Sequence, residues 1–453
     1  MNTIAAIATP IAEGGISVIR ISGDKAAEIA EKVFVPAGNT KISEMAGYTA
    51  CYGEIRDGET RLDDGVLLIY RAPRSYTGEE VVEISCHGGL YITRRVLSAC
   101  FSAGAVPAQA GEFTKRALLN GKLSLTQAEA VADIISAQNE QFLLAGKAQR
   151  EGALYRRIRA VADKLLSLTS LIQAWIDYPD EMEDEFDGNL EAEKLLSAER
   201  ELSDLLSTYN AGQLLREGVP CAIAGIPNAG KSTIMNLLSG RERSIVTDIE
   251  GTTRDIVEET VMLGDVMLRL ADCAGIRETS DLVESIGVER MIKKLEEAAL
   301  VFAVFDGSRP LCDDDLRLIE LLKDKNTICI INKNDLPQRT DKKRLSDAFG
   351  RIIEISAKEP SSAEVIASAV KEAAGLTAFD AAAGFIANQR QRTCAEEARA
   401  FVHEAYTALM SGVTLDAVGI MCENALNRLY ELSGENAGEE IIDSVFSRFC
   451  VGK

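Results

Sequence analysis

Histidine is nearly missing from this chain: its 453 residues hold two, His87 and His403, and a single tryptophan. So few imidazoles argue against a histidine-built zinc centre. Ten cysteines are scattered from Cys51 to Cys450 without one C-x-x-C pair, the pattern of reduced thiols rather than of a disulfide framework. No apolar run is long enough to span a bilayer, and no charged-then-apolar leader opens Met1-Asn2-Thr3-Ile4. The expectation is a cytoplasmic chain with no membrane span. Positive charge is also short: 49 Lys and Arg against 70 Asp and Glu leave a formal net charge of −21. That surface repels polyanions on average, so nucleic acid would need a local basic patch or a helper protein. What remains is an ordinary globular composition, 46% hydrophobic and 26% charged, in a chain long enough for about three domains.

What is present centres on Pro220 to Thr233, PCAIAGIPNAGKST. Cys221-Ala222-Ile223-Ala224 is a short apolar run suited to a buried parallel strand. Gly225-Ile226-Pro227-Asn228-Ala229-Gly230-Lys231-Ser232 then fits the phosphate-loop pattern G-x-x-x-x-G-K-[ST], with a helix-like stretch after it. Glycines let backbone N–H groups curl around phosphate oxygens, and the helix N-terminus adds partial positive charge. Lys231 can reach the β- and γ-phosphates, and Ser232 can place its hydroxyl on Mg2+.

Around this motif the chain changes period. Residues 1 to about 120 read as α+β, with strands at Ile16–Ile21, Asp64–Tyr70 and Glu80–Ser85. Cys86-His87-Gly88-Gly89 breaks the last strand before a helix at Tyr91–Cys100. His87 reads as a structural or hydrogen-bonding residue rather than a catalyst. From Leu125 the period is helical. Thr126-Gln127-Ala128-Glu129 reads as a capping box, and Leu154, Ile158, Val161, Leu165, Leu168, Ile172 and Trp175 form the apolar seam of a long bundle helix. Arg150, Arg156, Arg157 and Arg159 read as a solvated basic face, with an RNA or anion contact the lesser alternative. DEMEDEFD at 180–187 reads as an acidic loop, and Arg390–Leu409, Leu415–Leu432 and Glu439–Phe449 are helical again. Helices before and after the nucleotide segment suggest that it is inserted into one helical domain, a separate C-terminal bundle being the competing arrangement.

Four more elements follow in the order a GTPase needs. Gly251-Thr252-Thr253-Arg254-Asp255 can be a switch I whose threonine completes the Mg2+ shell. Strand Leu268–Ala271 ends at Asp272-Cys273-Ala274-Gly275, where the Asp can hold Mg2+ through water and the Gly N–H can face the γ-phosphate. Strands Val301–Phe305 and Thr327–Ile331 lead to Asn332-Lys333-Asn334-Asp335, where the Asp335 carboxylate can accept from the ring N–H and exocyclic amine of guanine, a donor pair adenine lacks. Ile352–Ile355 delivers Ser356-Ala357-Lys358, whose backbone can cap the guanine carbonyl. The base is therefore guanine. Catalysis is less standard: the position after the switch II glycine is Ile276, which cannot orient water as a glutamine there does. Arg254, Arg277 and a bound cation all stay open as the charge-stabilising group.

With Gly225–Ser232, Gly251–Asp255, Gly111-Glu112-Phe113-Thr114-Lys115-Arg116-Ala117 and the terminal Phe449-Cys450-Val451-Gly452-Lys453 in view, the chain resembles the tRNA modification GTPase MnmE (TrmE) family over essentially its whole length. Cys273 departs from the threonine usual there, between two functional positions of its motif. The resemblance implies a multidomain α/β plus all-α fold: an N-terminal α+β folate-binding-like and dimerisation domain at 1–120, a discontinuous helical bundle domain at 121–216 and 379–453, and an inserted Ras-like P-loop GTPase domain at 217–378 with a mostly parallel sheet. It implies a homodimer, a 5-formyl- or 5,10-methylene-tetrahydrofolate held by Arg20, Glu83, Lys122 and Lys453, and an FAD-containing MnmG (GidA)-type partner. Together these build an aminomethyl or carboxymethylaminomethyl group on C5 of the wobble uridine of certain tRNAs.

For GTP/GDP the implied contacts are Asn228, Ala229, Gly230, Lys231, Ser232 and Thr233; Thr247, Asp248, Ile249, Glu250, Gly251, Thr252 and Thr253; Asp272, Cys273, Ala274 and Gly275; Asn332, Lys333, Asn334 and Asp335; and Ser356, Ala357 and Lys358. Mg2+ falls to Ser232 and Thr253, and K+ to Asn228, Thr247, Ile249 and Thr252. Glu284, Arg254, Asp255 and Cys450 are the catalytic candidates, Glu284 as the water-orienting carboxylate. Cys450 has a buried core thiol as its structural alternative. A different class of function, a GTP-dependent assembly or ribosome-associated switch of the Era/Der type, has no use for a folate-like domain or a terminal cysteine motif. If Asp335 reads guanine through two donors, Asp335→Asn loses GTP preference and gains xanthine nucleotides. Competition binding checks this, and unchanged GTP affinity would place the guanine site elsewhere.

Overall fold

The computed structural model describes residues 2–38, 40–178, 186–240, 258–271, 295–377, 379–447 and 449–452. The chain forms two compact units. One comprises Met1–Ala132, Arg150–Leu195 and Ala400–Lys453, the other Asp133–Gln149 and Leu196–Arg399. Residues 133–149, 196–216 and 379–399 group with the six-stranded sheet of the second unit.

The first unit holds a seven-stranded sheet in the order β3-β4-β5-β6-β2-β1-β7. Its strands are β1 (Ile4–Ile7), β2 (Ile16–Ser22), β3 (Phe34–Pro36), β4 (Thr49–Asp57), β5 (Thr60–Tyr70), β6 (Val81–His87) and β7 (Val106–Pro107). Pairing is antiparallel apart from β1 with β7. Alternation does the sorting: Ile19, Ile21, Leu67, Ile69, Val82 and Ile84 face a core closed by helices Ala26–Val33 and Leu90–Ser102. The break expected from Cys86 falls later, at Gly88, because His87 still pairs with Ile16. A Cβ on Gly88 would overlap the Gly14 carbonyl, while the Gly14 N–H donates to the Gly88 carbonyl at 3.0 Å. Only glycine permits that approach.

The Gly111–Ala117 motif is the knot of this unit. Gly111 has φ 66°, and a Cβ there would press on Phe446 and Phe449. Helix Glu112–Leu119 then buries Phe113, bonds Thr114 to the Tyr76 hydroxyl at 2.9 Å and pairs Lys115 with Asp443. Arg116, 4% exposed, donates to Glu79 at 3.0 and 3.1 Å, to Glu112 at 2.8 Å and to the Asn2 carbonyl at 2.9 Å. Helix Glu439–Phe446 stops three residues short of the expected Phe449, and the chain returns through an Ala110–Val451 bridge.

The helical seam is as expected. In helix Ala153–Asp177 the buried residues include Leu154, Ile158, Val161, Leu165, Leu168 and Ile172, packed against helix Leu415–Ser433. Trp175 is only half-buried. The capping box, however, sits two residues earlier than expected. The Ser124 hydroxyl accepts the Gln127 N–H at 3.2 Å, and the Gln127 side chain accepts the Ser124 N–H at 2.9 Å, so the S-x-x-Q pair is Ser124 and Gln127. Of the four arginines, Arg159 is committed to Asp163, Glu435 and the Tyr430 ring, and Arg156 donates to the Glu151 carbonyl.

The second unit is doubly wound. Its strands are β8 (Val219–Ala224), β9 (Glu258–Leu263), β10 (Val266–Ala271), β11 (Leu300–Asp306), β12 (Thr327–Asn332) and β13 (Ile352–Glu354), in the order β13-β12-β11-β8-β10-β9. Among the described strands of this sheet only β9 runs antiparallel. Helices Lys231–Ser239 and Ser362–Ala373 cover one face, Asp313–Leu322 and Lys342–Ala348 the other. Covered on both sides, β11 and β12 are buried at every residue, which is why they read as unbroken apolar runs. The order reverses beside β8, the usual ligand crevice of such sheets.

Removing Arg116 strands two carboxylates in the first unit. Arg116→Met is expected to cost that unit about 3–5 kcal/mol, read as lost amide-exchange protection in β1, β2 and β6. Lys115→Ala, at a more exposed pair, is expected to cost under about 1 kcal/mol.

Candidate functional site

At the C-terminal end of β8 the phosphate loop is shaped by three backbone constraints. Gly225 lies so close to β11 that a Cβ would sit 2.7 Å from the Val304 carbonyl. Asn228 and Gly230 turn through the left-handed region at φ 63° and 105°. At Gly230 a Cβ would overlap the amide nitrogen of Asn332, so both strain and space demand glycine. Helix Lys231–Ser239 begins there, with Ser232 and Thr233 exposed in its first turn.

Asn332, 2% exposed at the end of β12, holds the site together. Its amide nitrogen donates to the Ala229 carbonyl at 2.9 Å and its oxygen accepts the Ala357 N–H at 3.0 Å. One side chain thus fixes the phosphate loop against Ser356-Ala357-Lys358. The Asn334 N–H donates to the Ile355 carbonyl at 3.1 Å, and Ser356 is anchored by the Ser362 hydroxyl on its carbonyl at 2.7 Å. Asp335 stands at the rim, 3.8 Å from the exposed Lys358 ammonium, a pair loose enough to leave the carboxylate open to a base. Lys231 donates to the Gly225 and Ile226 carbonyls at 2.7 and 2.9 Å. Lys333, at φ 64°, donates to the Asn228 carbonyl at 3.0 Å.

The first unit brings together two of the expected folate residues. Arg20 and Glu83 lie opposite each other in the β2–β6 register, with Nε 2.8 Å from Oε1. The Arg20 guanidinium lies 5.6 Å from the Phe113 ring centroid and donates to the Gly452 carbonyl at 3.1 Å. Gly452 itself, at φ 99°, leaves no room for a Cβ beside the Ile7 carbonyl. The Tyr70 hydroxyl donates to Glu83 at 3.4 Å, and burial, then the Glu83 charge, pushes the phenol up. The Lys122 ammonium donates to the Pro73 carbonyl at 3.0 Å. Cys450 is exposed, with its carbonyl accepting the Gly111 N–H at 3.3 Å, and so is not a core thiol. His87 is bonded through Nδ1 to Asp63 at 2.8 Å, which raises the imidazole pKa.

The MnmE helical domain family matches residues 125–450 and the GTP-binding protein TrmE N-terminus family matches 3–122. The tRNA modification GTPase MnmE of Lachnoclostridium phytofermentans is 39% identical, over 100% of this chain and 99% of that protein. The chain belongs to the MnmE family. A second MnmE relative, from Lactococcus lactis subsp. cremoris, is 40% identical over 100% of this chain and 98% of its own length. Among solved structures, the G domain of the T. maritima FeoB iron transporter aligns with 34% of this chain and 98% of that one, at 25% identity and a TM-score of 0.27.

The MnmE-family fold class expected from the sequence, α/β with helical segments and a mostly parallel nucleotide sheet, is the one found. Thr247, Asp248, Ile249, Glu250, Gly251, Thr252, Thr253, Arg254, Asp255, Asp272, Cys273, Ala274, Gly275, Ile276, Arg277, Glu284 and Lys453 lie outside the described residues. Two residues of the site were not anticipated. Gln338 donates to the Lys333 and Leu336 carbonyls at 2.9 Å each, bracing the Asp335 loop. Asp306, one residue past the expected end of β11, meets Lys333 at 2.6 Å. Its signal was an acid directly after a wholly apolar run, next to Gly307-Ser308.

Proposed function

We propose that this MnmE-family chain hydrolyses GTP in the modification of tRNA. The observation that carries the reading is Asn332, bonded at once to the phosphate loop and to the Ser356–Lys358 loop, with Asp335 open between them. That geometry presents phosphate donors and a guanine-reading carboxylate to one ligand. Lys231 exchanges its two loop carbonyls for phosphate oxygens when nucleotide arrives. The exposed Ser232 hydroxyl suits Mg2+, and the exposed Asn228 side chain, a hard oxygen donor, suits K+. Bound there, these cations would supply positive charge to the β- and γ-phosphates, where an arginine finger is otherwise needed. Thr247, Ile249, Thr252 and Thr253 complete the two ligand sets in this proposal, and Glu284 aligns the attacking water.

In the same reading Arg20, Glu83, Lys122 and Lys453 hold a tetrahydrofolate. The fit is chemical: a half-buried carboxylate matches the paired N–H donors of a pterin, and Phe113 with Arg20 offers an apolar and cationic wall. Cys450 stands exposed beside that cluster's chain terminus. An FAD-containing partner, a homodimer and C5 of the wobble uridine complete the proposal, together with the three-part division at 1–120, 121–216 with 379–453, and 217–378. The family matches at 3–122 and 125–450 support the first boundary.

Nucleoside mass analysis of tRNA from a strain lacking the protein tests the function. The C5 modification is expected to disappear and to return with the wild-type chain but not with Lys231→Ala. C5 modification that persists in the deletion strain would favour an assembly switch instead. GTP turnover in KCl against NaCl at equal ionic strength tests the cation. Potassium is expected to accelerate the wild type by a factor approaching the roughly 10³–10⁵ of an arginine finger. Asn228→Ala is expected to lose that stimulation and Glu284→Ala to lose turnover; equal rates in both salts remove K+ from the mechanism.

A further inference from the structure

Asp306 has no role in the proposed chemistry, yet the residue is only 8% exposed and both its carboxylate oxygens are engaged. Oδ1 accepts the Ser308 N–H at 2.9 Å and the Ser308 hydroxyl at 2.6 Å. Oδ2 accepts the Lys333 ammonium at 2.6 Å. That ammonium also donates to the Asn228 carbonyl. A continuous line of contacts therefore runs from the end of β11, through the base-reading loop, to the tip of the phosphate loop. The backbone repeats the connection: the Gly307 N–H donates to the Asn332 carbonyl at 2.9 Å.

Ser308 makes this line directional. Two donors on Oδ1 lock the carboxylate, so Oδ2 is aimed before the lysine arrives and little rotamer freedom is lost in closing the pair. Lys333, by contrast, is a third exposed and would be solvated readily without a partner. Burial opposes ionisation of Asp306, but the Lys333 and Ser308 bonds outweigh it and hold the carboxyl below its ordinary range.

We propose that Asp306 is a positioning residue of the nucleotide site: it holds Lys333 as a strut between the base-reading and phosphate loops, and so sets guanine-nucleotide affinity without touching the nucleotide. The inference rests on the guanine reading of this site. Acting through Lys333, Asp306 has no separate effect once that ammonium is gone; a residue that merely stabilised the β11 turn would act independently of it.

A double-mutant cycle on the full chain separates these cases. GDP affinity is measured by calorimetry for wild type, Asp306→Asn, Lys333→Gln and the double variant, with the nucleotide-free melting midpoint as the fold control. Asp306→Asn is expected to weaken GDP about tenfold, the scale of one charge-assisted hydrogen bond. Lys333→Gln loses at least as much, and Asp306→Asn adds less than about twofold in that background. Ser308→Ala, which loosens the carboxylate without unpairing it, gives the same pattern at about threefold and carries the test if Asp306→Asn melts early. Losses that multiply in the double variant overturn the proposal, as does Asp306→Asn binding GDP like wild type. Wild-type protein that binds no GDP overturns the guanine reading instead.

Discussion

A buried amide that must satisfy both its donor and its acceptor is the constraint on which the nucleotide half of this molecule depends. Asn332 can do so only if the Ala229 carbonyl and the Ala357 N–H stand on opposite sides of it. Leaving either end unpaired costs the desolvation of that group, about 1–3 kcal/mol. Three loops from distant parts of the chain are therefore held to a common register by one side chain. Gly230 is forced by the same amide, which occupies the space a Cβ would need. The sheet supplies the frame: β8, β11 and β12 end side by side, so their loops converge without any long connection having to be ordered.

The other unit relies on a buried charge rather than a buried amide. Arg116 draws together the Asn2 backbone just ahead of β1, the Thr77–Glu80 segment and its own helix. Gly111 and Phe113 then use the same short helix to seat the C-terminal residues and the Arg20 guanidinium. A seven-residue motif thus serves packing and the candidate folate cluster at once. Gly111 of the motif and Gly452 near the C-terminus both sit at positive φ against another backbone or ring. These are positions where any side chain would push the C-terminal segment off the sheet.

Much of this was legible before any coordinates, for local reasons. Strands covered on both faces have to be apolar throughout, so β8, β11 and β12 announced themselves. The seam from Leu154 to Ile172 was equally plain, since one helical face meets one neighbour. Errors fell where neighbouring residues offered the same local signal. Ser124 and Thr126 both can cap a helix, and only the bonds between Ser124 and Gln127 decide between them. β3 and β7, three and two residues long, carry too little pattern to be read. The four arginines after Gln149 looked alike as a charge cluster, whereas Glu435, some 276 residues away in sequence, claims one of them.

The sequence by itself determined the chemistry on offer: a phosphate loop, a candidate base-reading aspartate and the apolar strands β8, β10, β11 and β12 that lead to them. Those are short-range properties, because a turn, a strand or a loop needs particular residues at fixed spacing. Tertiary structure alone decided who partners whom. That Arg20 faces Glu83 follows from strand register, that Gly452 reaches Arg20 follows from the return of the chain terminus, and that Asp306 grips Lys333 follows from two parallel strands ending level. Each is a contact between residues far apart in the chain, whose chemistry is visible in the sequence but whose distance is not.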